Sequence, residues 1–123
     1  MMNDNKLDEM IRYFDENLAG CKARERRLRA EQRQDEAVFE KIRGNVFDVF
    51  KTILTVARRK EQDEDSIRRF FRQRLEQIPQ GWVESLQKAE AHGDTEKAHI
   101  ERIKLETVAA IRAQTEKLWE VSA

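Results

Sequence analysis

The feature that most constrains this sequence is a stretch in which apolar residues recur every three or four positions. A helix brings residues at this spacing onto one face, whereas a strand alternates with a period of two. The stretch therefore predicts a helix with a wide buried face, and we expect it to be the central helix of the fold. Its first row comprises Phe39, Ile42, Val46, Val49, Ile53 and Val56, and its second, adjacent row comprises Phe47, Phe50, Leu54 and Ala57.

Similar apolar spacing recurs in three other parts of the chain, at residues 7–28, 67–78 and 100–121. Each of these stretches predicts an amphipathic helix. We expect Asp65 or Ser66 to cap the third helix, and Pro79 to end or kink it. A short helix should follow Pro79 and close at Gly93, whose backbone can adopt the left-handed conformation.

These segments predict an all-α fold, an antiparallel bundle of four to five helices. It should comprise a long helical hairpin, a kinked short pair and a long C-terminal helix. Gly44 lies inside the central helix, where it indicates close approach by a neighbouring helix. Residues 22–33 contain few apolar positions and are expected to be the least packed part.

The joint between the first two helices is the least defined part of the prediction. No Gly or Pro lies between them, and only the polar run at residues 31–36 indicates a turn. The alternative is one continuous helix over residues 4–60, about 85 Å long at 1.5 Å per residue. A lone small domain could not cover such a helix, so this alternative would require an oligomer.

Composition sets broad limits on the function of the chain. Its 123 residues suit a single domain, 1–123. The 24 basic and 24 acidic residues balance, so no long-range field attracts nucleic acid or a membrane surface. Charged residues interrupt every apolar stretch before it approaches the roughly 20 residues of a membrane span. Without a secretory pattern, and with Cys21 as the sole cysteine, the expected location is the cytoplasm.

No residues form a recognisable catalytic, metal-binding or cofactor-binding motif. Glu96 and His99 have the spacing of two ligands on one helical face, but a di-iron bundle needs two such pairs and two further carboxylates. We therefore interpret them as surface residues and predict no metal, no cofactor and no enzymatic activity. Asp63 and Asp65 resemble the start of a calcium loop, but Arg68 occupies the sixth position, where that loop requires Gly.

Cys21, Trp82 and Trp119 each continue a helical apolar pattern. We interpret all three as packing residues, because a reactive thiol needs a partner that lowers its pKa and the sequence indicates none.

Two basic stretches support an alternative function. Residues 22–33 carry six positive and two negative charges, and residues 58–74 carry seven and four. Such local patches can bind phosphates even on a neutral protein. However, oppositely charged residues four apart are frequent in both stretches, and such pairs also stabilise an ordinary surface helix.

The leading functional hypothesis is a non-enzymatic module that binds another protein or associates with itself. Its basis is the wide, two-row face of the central helix, which a small bundle covers only if other helices reach both rows. If the fourth helix is too short to do so, we expect Phe47, Phe50, Leu54 or Phe71 to remain for a second copy. The alternative is a small regulatory protein that binds nucleic acid through residues 22–33 or 58–74.

Overall fold

The computed structural model describes residues 2–119, with side chains from residue 6 onward. Within this range the chain is all-helical, as predicted, and contains no strand. The four helices are α1 (Met2–Ala30), α2 (Gln34–Lys60), α3 (Glu64–Ala91) and α4 (Thr95–Trp119). None of them, over residues 2–119, has the apolar length that a transmembrane segment requires.

The first two helices form a hairpin. Arg58, near the end of α2, donates to Asp8, near the start of α1, over 3.2 Å. Arg24, near the end of α1, donates to Glu40, near the start of α2, over 2.9 Å. The two helices therefore run in opposite directions.

The last two helices form a second hairpin. Arg102 of α4 donates to Glu90 near the end of α3, over 2.7 Å. Ten residues further along α4, Arg112 reaches the carbonyl oxygen of Leu75, over 3.1 Å. Residues later in α4 thus contact residues earlier in α3, so this pair also runs in opposite directions.

The predicted central helix is α2, which makes the most extensive contacts with the other three helices, although α4 also contacts all three. The innermost side chains are aromatic and pack edge to face, an arrangement that the ring quadrupole favours. The Phe71 ring of α3 lies 6.2 Å from Phe14 of α1, 6.1 Å from Phe50 of α2 and 5.5 Å from Trp119 of α4, between centroids. One aromatic side chain thus joins all four helices into a single core.

Gly44 marks a close approach of α1 to α2, as predicted. A Cβ atom added to Gly44 would lie 3.5 Å from the Cβ of Cys21, which is ordinary van der Waals contact. The helix continues through Gly44 without a break. The first helix therefore lies directly beside Gly44, at a distance that would also admit the Cβ atom of an alanine.

The joint between α1 and α2 is a tight turn of residues 31–33, and the continuous-helix alternative is therefore wrong. Gln32 adopts a left-handed conformation, with φ of 62°. The Arg33 N–H donates to the Leu28 carbonyl over 2.8 Å, and the Gln32 N–H donates to the Arg29 carbonyl over 3.0 Å. This pair of hydrogen bonds is a Schellman motif, which satisfies the last carbonyls of α1.

Pro79 does not end α3, so the prediction of a separate short helix after it is wrong. The helix continues through Pro79 to Ala91. Proline has no N–H to donate to the carbonyl four residues earlier, which here belongs to Leu75. The Arg112 guanidinium donates to that same carbonyl. A side chain from α4 thus replaces the backbone hydrogen bond that Pro79 removes.

The start of α3 also differs from the prediction. Its N-cap is Asp63, not Asp65 or Ser66, and the Asp63 carboxylate accepts hydrogen bonds from both the N–H and the hydroxyl of Ser66. These bonds lower the pKa of Asp63 below its usual value. Gly93, at φ of 71°, ends the same helix as predicted.

Candidate protein-interaction surface

The two apolar rows of α2 lie in different environments. All members of the second row, Phe47, Phe50, Leu54 and Ala57, are buried. The fourth helix is long, at 25 residues, and Phe47, Phe50, Leu54 and Phe71 are all buried, so none of these four side chains is left for another copy.

The first row of α2 is largely open. Only Val46 among its members is buried, whereas Val49 and Val56 are 39% and 37% exposed. Phe39, Ile42 and Ile53 are half-buried. The aromatic row therefore faces the core, and the aliphatic row lies at the edge of the bundle.

The exposed part of this edge forms one line along the helix, which we call the open stripe. At about 100° per residue, its members fall within about 60° of the helix circumference, and they extend over about 27 Å. A line of exposed or half-exposed aliphatic side chains is uncommon on a chain in which 39% of residues are charged. The open stripe consists of Val38, Ile42, Val49, Ile53 and Val56.

A shallow depression of about 390 Å³ lies beside the middle of the open stripe. Trp82 of α3 and Ile100 of α4 form its far wall. Lys104 also lines the depression, and its ammonium group lies 5.5 Å from the centre of the Trp82 ring. The remaining lining residues are Ile42, Asn45, Val46 and Val49.

The open stripe is bounded by opposite charges. Asp35 lies in the first turn of α2 and Lys60 in its last turn. Each charge suits the helix dipole at its own end. Both residues fall on the line of the stripe, three residues before Val38 and four after Val56. The surface is thus acidic at one end, apolar in the middle and basic at the other end.

The two basic stretches do not form one surface. Residues 22–33 flank the first turn, whereas residues 58–74 begin at the opposite end of α2, about 40 Å away for a helix of 27 residues. In the first stretch, Arg24, Arg29 and Arg33 form ion pairs with nearby carboxylates. Within the described residues, Lys22, Arg26 and Arg27 form none.

In the second stretch, several cations contact aromatic rings. Arg74 and Lys60 lie 4.5 and 5.5 Å from the centre of the Phe70 ring. Arg72 lies 5.9 Å from the ring of Trp119. Such cation–π contacts stabilise the folded chain and draw these side chains towards the protein.

Glu96 and His99 are both exposed. The His99 ring packs edge to face on Phe39, with 4.5 Å between centroids. Among residues 6–119, no group of three or more His, Cys, Asp or Glu side chains converges on a point where a metal ion could lie. The structure therefore gives Glu96 no further ligand beside His99.

Cys21 and the two tryptophans occupy packing positions. Cys21 is buried, and this burial raises the pKa of its thiol. Trp119 is 1% exposed in the core, whereas Trp82 is half-buried at the depression. Comparisons with protein families, curated proteins and solved structures find no match to this chain.

Proposed function

We propose that this chain is a non-enzymatic, single-domain helical module of the cytoplasm that binds another protein chain through the open stripe of α2. The observation that carries the proposal is the alignment of Val38, Val49 and Val56, each 37–40% exposed, on a helix whose second apolar row, Phe47, Phe50, Leu54 and Ala57, is buried. Apolar area left in water costs about 25 cal/mol per Å². An apolar line of this kind is stabilised when a partner covers it.

The depression beside Trp82 supports the same function. Binding surfaces commonly have a pocket near their centre that receives one anchoring side chain of the partner. This depression lies beside Val49, in the middle of the open stripe, and has an apolar floor and a lysine at its edge. The chemistry of the pocket suits an aliphatic side chain better than a charged one.

Photo-crosslinking in the source cell tests the proposal. A photoreactive amino acid is placed at Val49 and, as a matched control, at Val83 of α3, which is 40% exposed. We expect a covalent adduct between the Val49 variant and a protein chain, either another copy or a different protein. The Val83 variant should give much less. Equal yields at both positions, or no adduct at Val49, would exclude the open stripe as the binding surface.

The alternative function, nucleic-acid binding, is favoured by one observation: Lys22, Arg26 and Arg27 are exposed and, within the described residues, form no ion pair. If these side chains bind phosphates, Arg26→Gln with Arg27→Gln should weaken binding and reduce its salt dependence. An affinity weaker than about 100 μM for duplex and single strands at low salt would reject this function, because the electrostatic attraction is largest there.

A further inference from the structure

We infer that the open stripe binds the open stripe of a second copy of this chain, with the two α2 helices antiparallel about a two-fold axis near residues 47 and 48. This inference rests on the proposed function, because it identifies the partner for the same surface. It differs from the sequence prediction, in which the aromatic row was expected to meet the second copy.

The first argument is the symmetry of the stripe. A two-fold interface uses the same patch on both copies, so the patch must complement itself when its direction is reversed. Reversal about the middle of α2 places Ile42 opposite Ile53 of the second copy, and Val49 opposite Val46, which is buried within its own chain. Val38 falls within one residue of Val56. Exposed or half-buried aliphatic side chains therefore meet towards both ends of the stripe, whereas at its middle Val49 packs over the buried Val46.

The second argument is the charge at the two ends. The same reversal places Asp35 opposite Lys60 of the second copy, and Lys60 opposite Asp35. Both residues lie on the line of the stripe, and the Lys60 ammonium group, which lies 5.5 Å from the Phe70 ring in the single chain, would turn from that ring to reach Asp35 of the second copy. A parallel arrangement would instead place Asp35 against Asp35 and Lys60 against Lys60. Repulsion between like charges thus selects the antiparallel direction.

The size of the surface sets the strength of the dimer. Stable complexes bury about 800 Å² on each partner, and a single helix face about 27 Å long offers less than that. We therefore expect a weak, reversible dimer, populated from about 10 μM to 1 mM, in the range of small transient interfaces.

Sedimentation equilibrium on the purified chain over this concentration range is the first test. Val49→Glu places a carboxylate in the middle of the apolar contact and should weaken the dimer about tenfold or more. Val83→Glu introduces the same side chain at an equally exposed valine outside the stripe and should leave the dimer unchanged. Circular dichroism checks that both variants fold. A dimer that is insensitive to Val49→Glu would overturn the inference.

Disulfide formation tests the direction of pairing. In a Cys21→Ala background, the double variant Val38→Cys/Val56→Cys should form a covalent dimer. These two positions lie about 27 Å apart on one helix, so they cannot bond within a chain, where the Cα atoms must come within about 7 Å. The variants with only one of these cysteines should form no covalent dimer. A rapid dimer of Val38→Cys alone would indicate parallel packing and contradict the inference.

Charge reversal tests the ends of the interface. Asp35→Lys should weaken the dimer about two- to tenfold, as expected for two exposed ion pairs. Adding Lys60→Asp should restore it, because the pair is then rebuilt with its signs exchanged. A double variant that dimerises no better than Asp35→Lys would contradict the proposed contact.

Two further outcomes separate this inference from the proposed function. A chain that stays monomeric to about 1 mM, while its Val49 photo-adduct contains a different protein, would overturn the inference and leave the proposed function standing. The substitution Gln32→Gly favours the α1–α2 turn. A dimer that is unaffected by Val49→Glu but is lost with Gln32→Gly would therefore indicate exchange of α1 between copies. That result would also overturn the inference.

Discussion

The two helical hairpins close with the same backbone turn but with different residues in it. Gln32 and Gly93 occupy the same position and have similar φ angles, 62° and 71°. The key hydrogen bond is also the same, since the N–H of Arg33 and that of Asp94 each donate over 2.8 Å to the carbonyl five residues earlier. Only glycine adopts this conformation without strain from a Cβ atom.

The residues that follow the two left-handed positions differ as well. The Asp94 carboxylate accepts a hydrogen bond from the Lys97 N–H over 3.0 Å and caps α4. Arg33 is at the N-cap of α2, but its guanidinium has no acceptor atom and forms no capping hydrogen bond. The second turn is therefore favoured by its own residues, whereas the first is imposed by the packing of α1 on α2. The same geometry can thus arise from local or from tertiary interactions.

The largest expected effect weakens the second hairpin at the hydrogen bond from Arg112 to the Leu75 carbonyl, which Pro79 leaves without a backbone donor. Arg112→Met leaves the Leu75 carbonyl without a donor and should lower the free energy of unfolding by about 1–3 kcal/mol. In a Pro79→Ala background the loss should be much smaller, because the new N–H at position 79 can pair with that carbonyl. Chemical denaturation of the four chains measures the coupling.

The control for this cycle is Arg102→Met, which removes only the exposed ion pair with Glu90 and should change stability by less than about 1 kcal/mol. Equal losses from Arg112→Met in both backgrounds would show that Arg112 does not compensate for Pro79.

Substitutions at the two left-handed positions, Gln32 and Gly93, test the comparison between the two turns directly. Gly93→Ala forces a Cβ atom into the left-handed conformation and should destabilise the protein by about 1–2 kcal/mol. No atom lies within 4 Å of that Cβ position, so strain rather than collision would cause the loss. Gln32→Gly should instead stabilise by up to about 1 kcal/mol. Thermal unfolding measures both changes, and two changes of the same sign would contradict the comparison.

The smallest expected effect concerns Asp63, in the connection between the two hairpins. Because hydrogen bonds from Ser66 lower the pKa of Asp63 from 3.8, the carboxylate stabilises the fold above that pH. This contribution is lost as the pH falls through the lowered value. Asp63→Asn still caps the helix but does not titrate, so its stability should fall less steeply than that of the wild type between about pH 5 and pH 2.

Urea denaturation as a function of pH checks this expectation. Asp65→Asn lies in the same first turn but is not the N-cap, so it serves as the control and should keep the wild-type steepness. If the stability of Asp63→Asn falls as steeply at acidic pH as that of the wild type, protonation of Asp63 does not contribute to the loss of stability.

The parts of the fold that depend on spacing along the chain were predictable. The helical character of residues 39–57, their central place and the close approach at Gly44 all follow from periodicity and residue size. The break at Gly93 follows from its conformational freedom. These features depend on residues within one or two turns of each other, which the sequence displays directly.

The errors have a common cause in contacts between distant residues. The continuation of α3 through Pro79 depends on Arg112, more than thirty residues later in the chain. The first turn depends on how α1 packs against α2, since neither Gln32 nor Arg33 favours it. In neither case does the local sequence, around Pro79 or around Gln32, indicate the distant residues that determine the backbone conformation.

The sequence indicated that part of the α2 face could stay open, but it assigned that part to the wrong residues. The two rows of α2 indicate a face wider than one neighbour can cover, yet they do not show which row the other helices choose. The structure buries the aromatic row and leaves the aliphatic one open. Larger rings exclude more apolar surface from water when buried, which favours this choice.

The position of Trp82 has an optical consequence. The chain contains two tryptophans, of which Trp119 is enclosed in the core and Trp82 borders the open stripe. Replacing Trp119 by phenylalanine would leave a single indole fluorophore at the edge of the candidate surface. Its emission wavelength and its accessibility to a dissolved quencher would then respond to whatever covers the stripe. The molecule thus carries a label-free reporter beside the surface on which its function is proposed to depend.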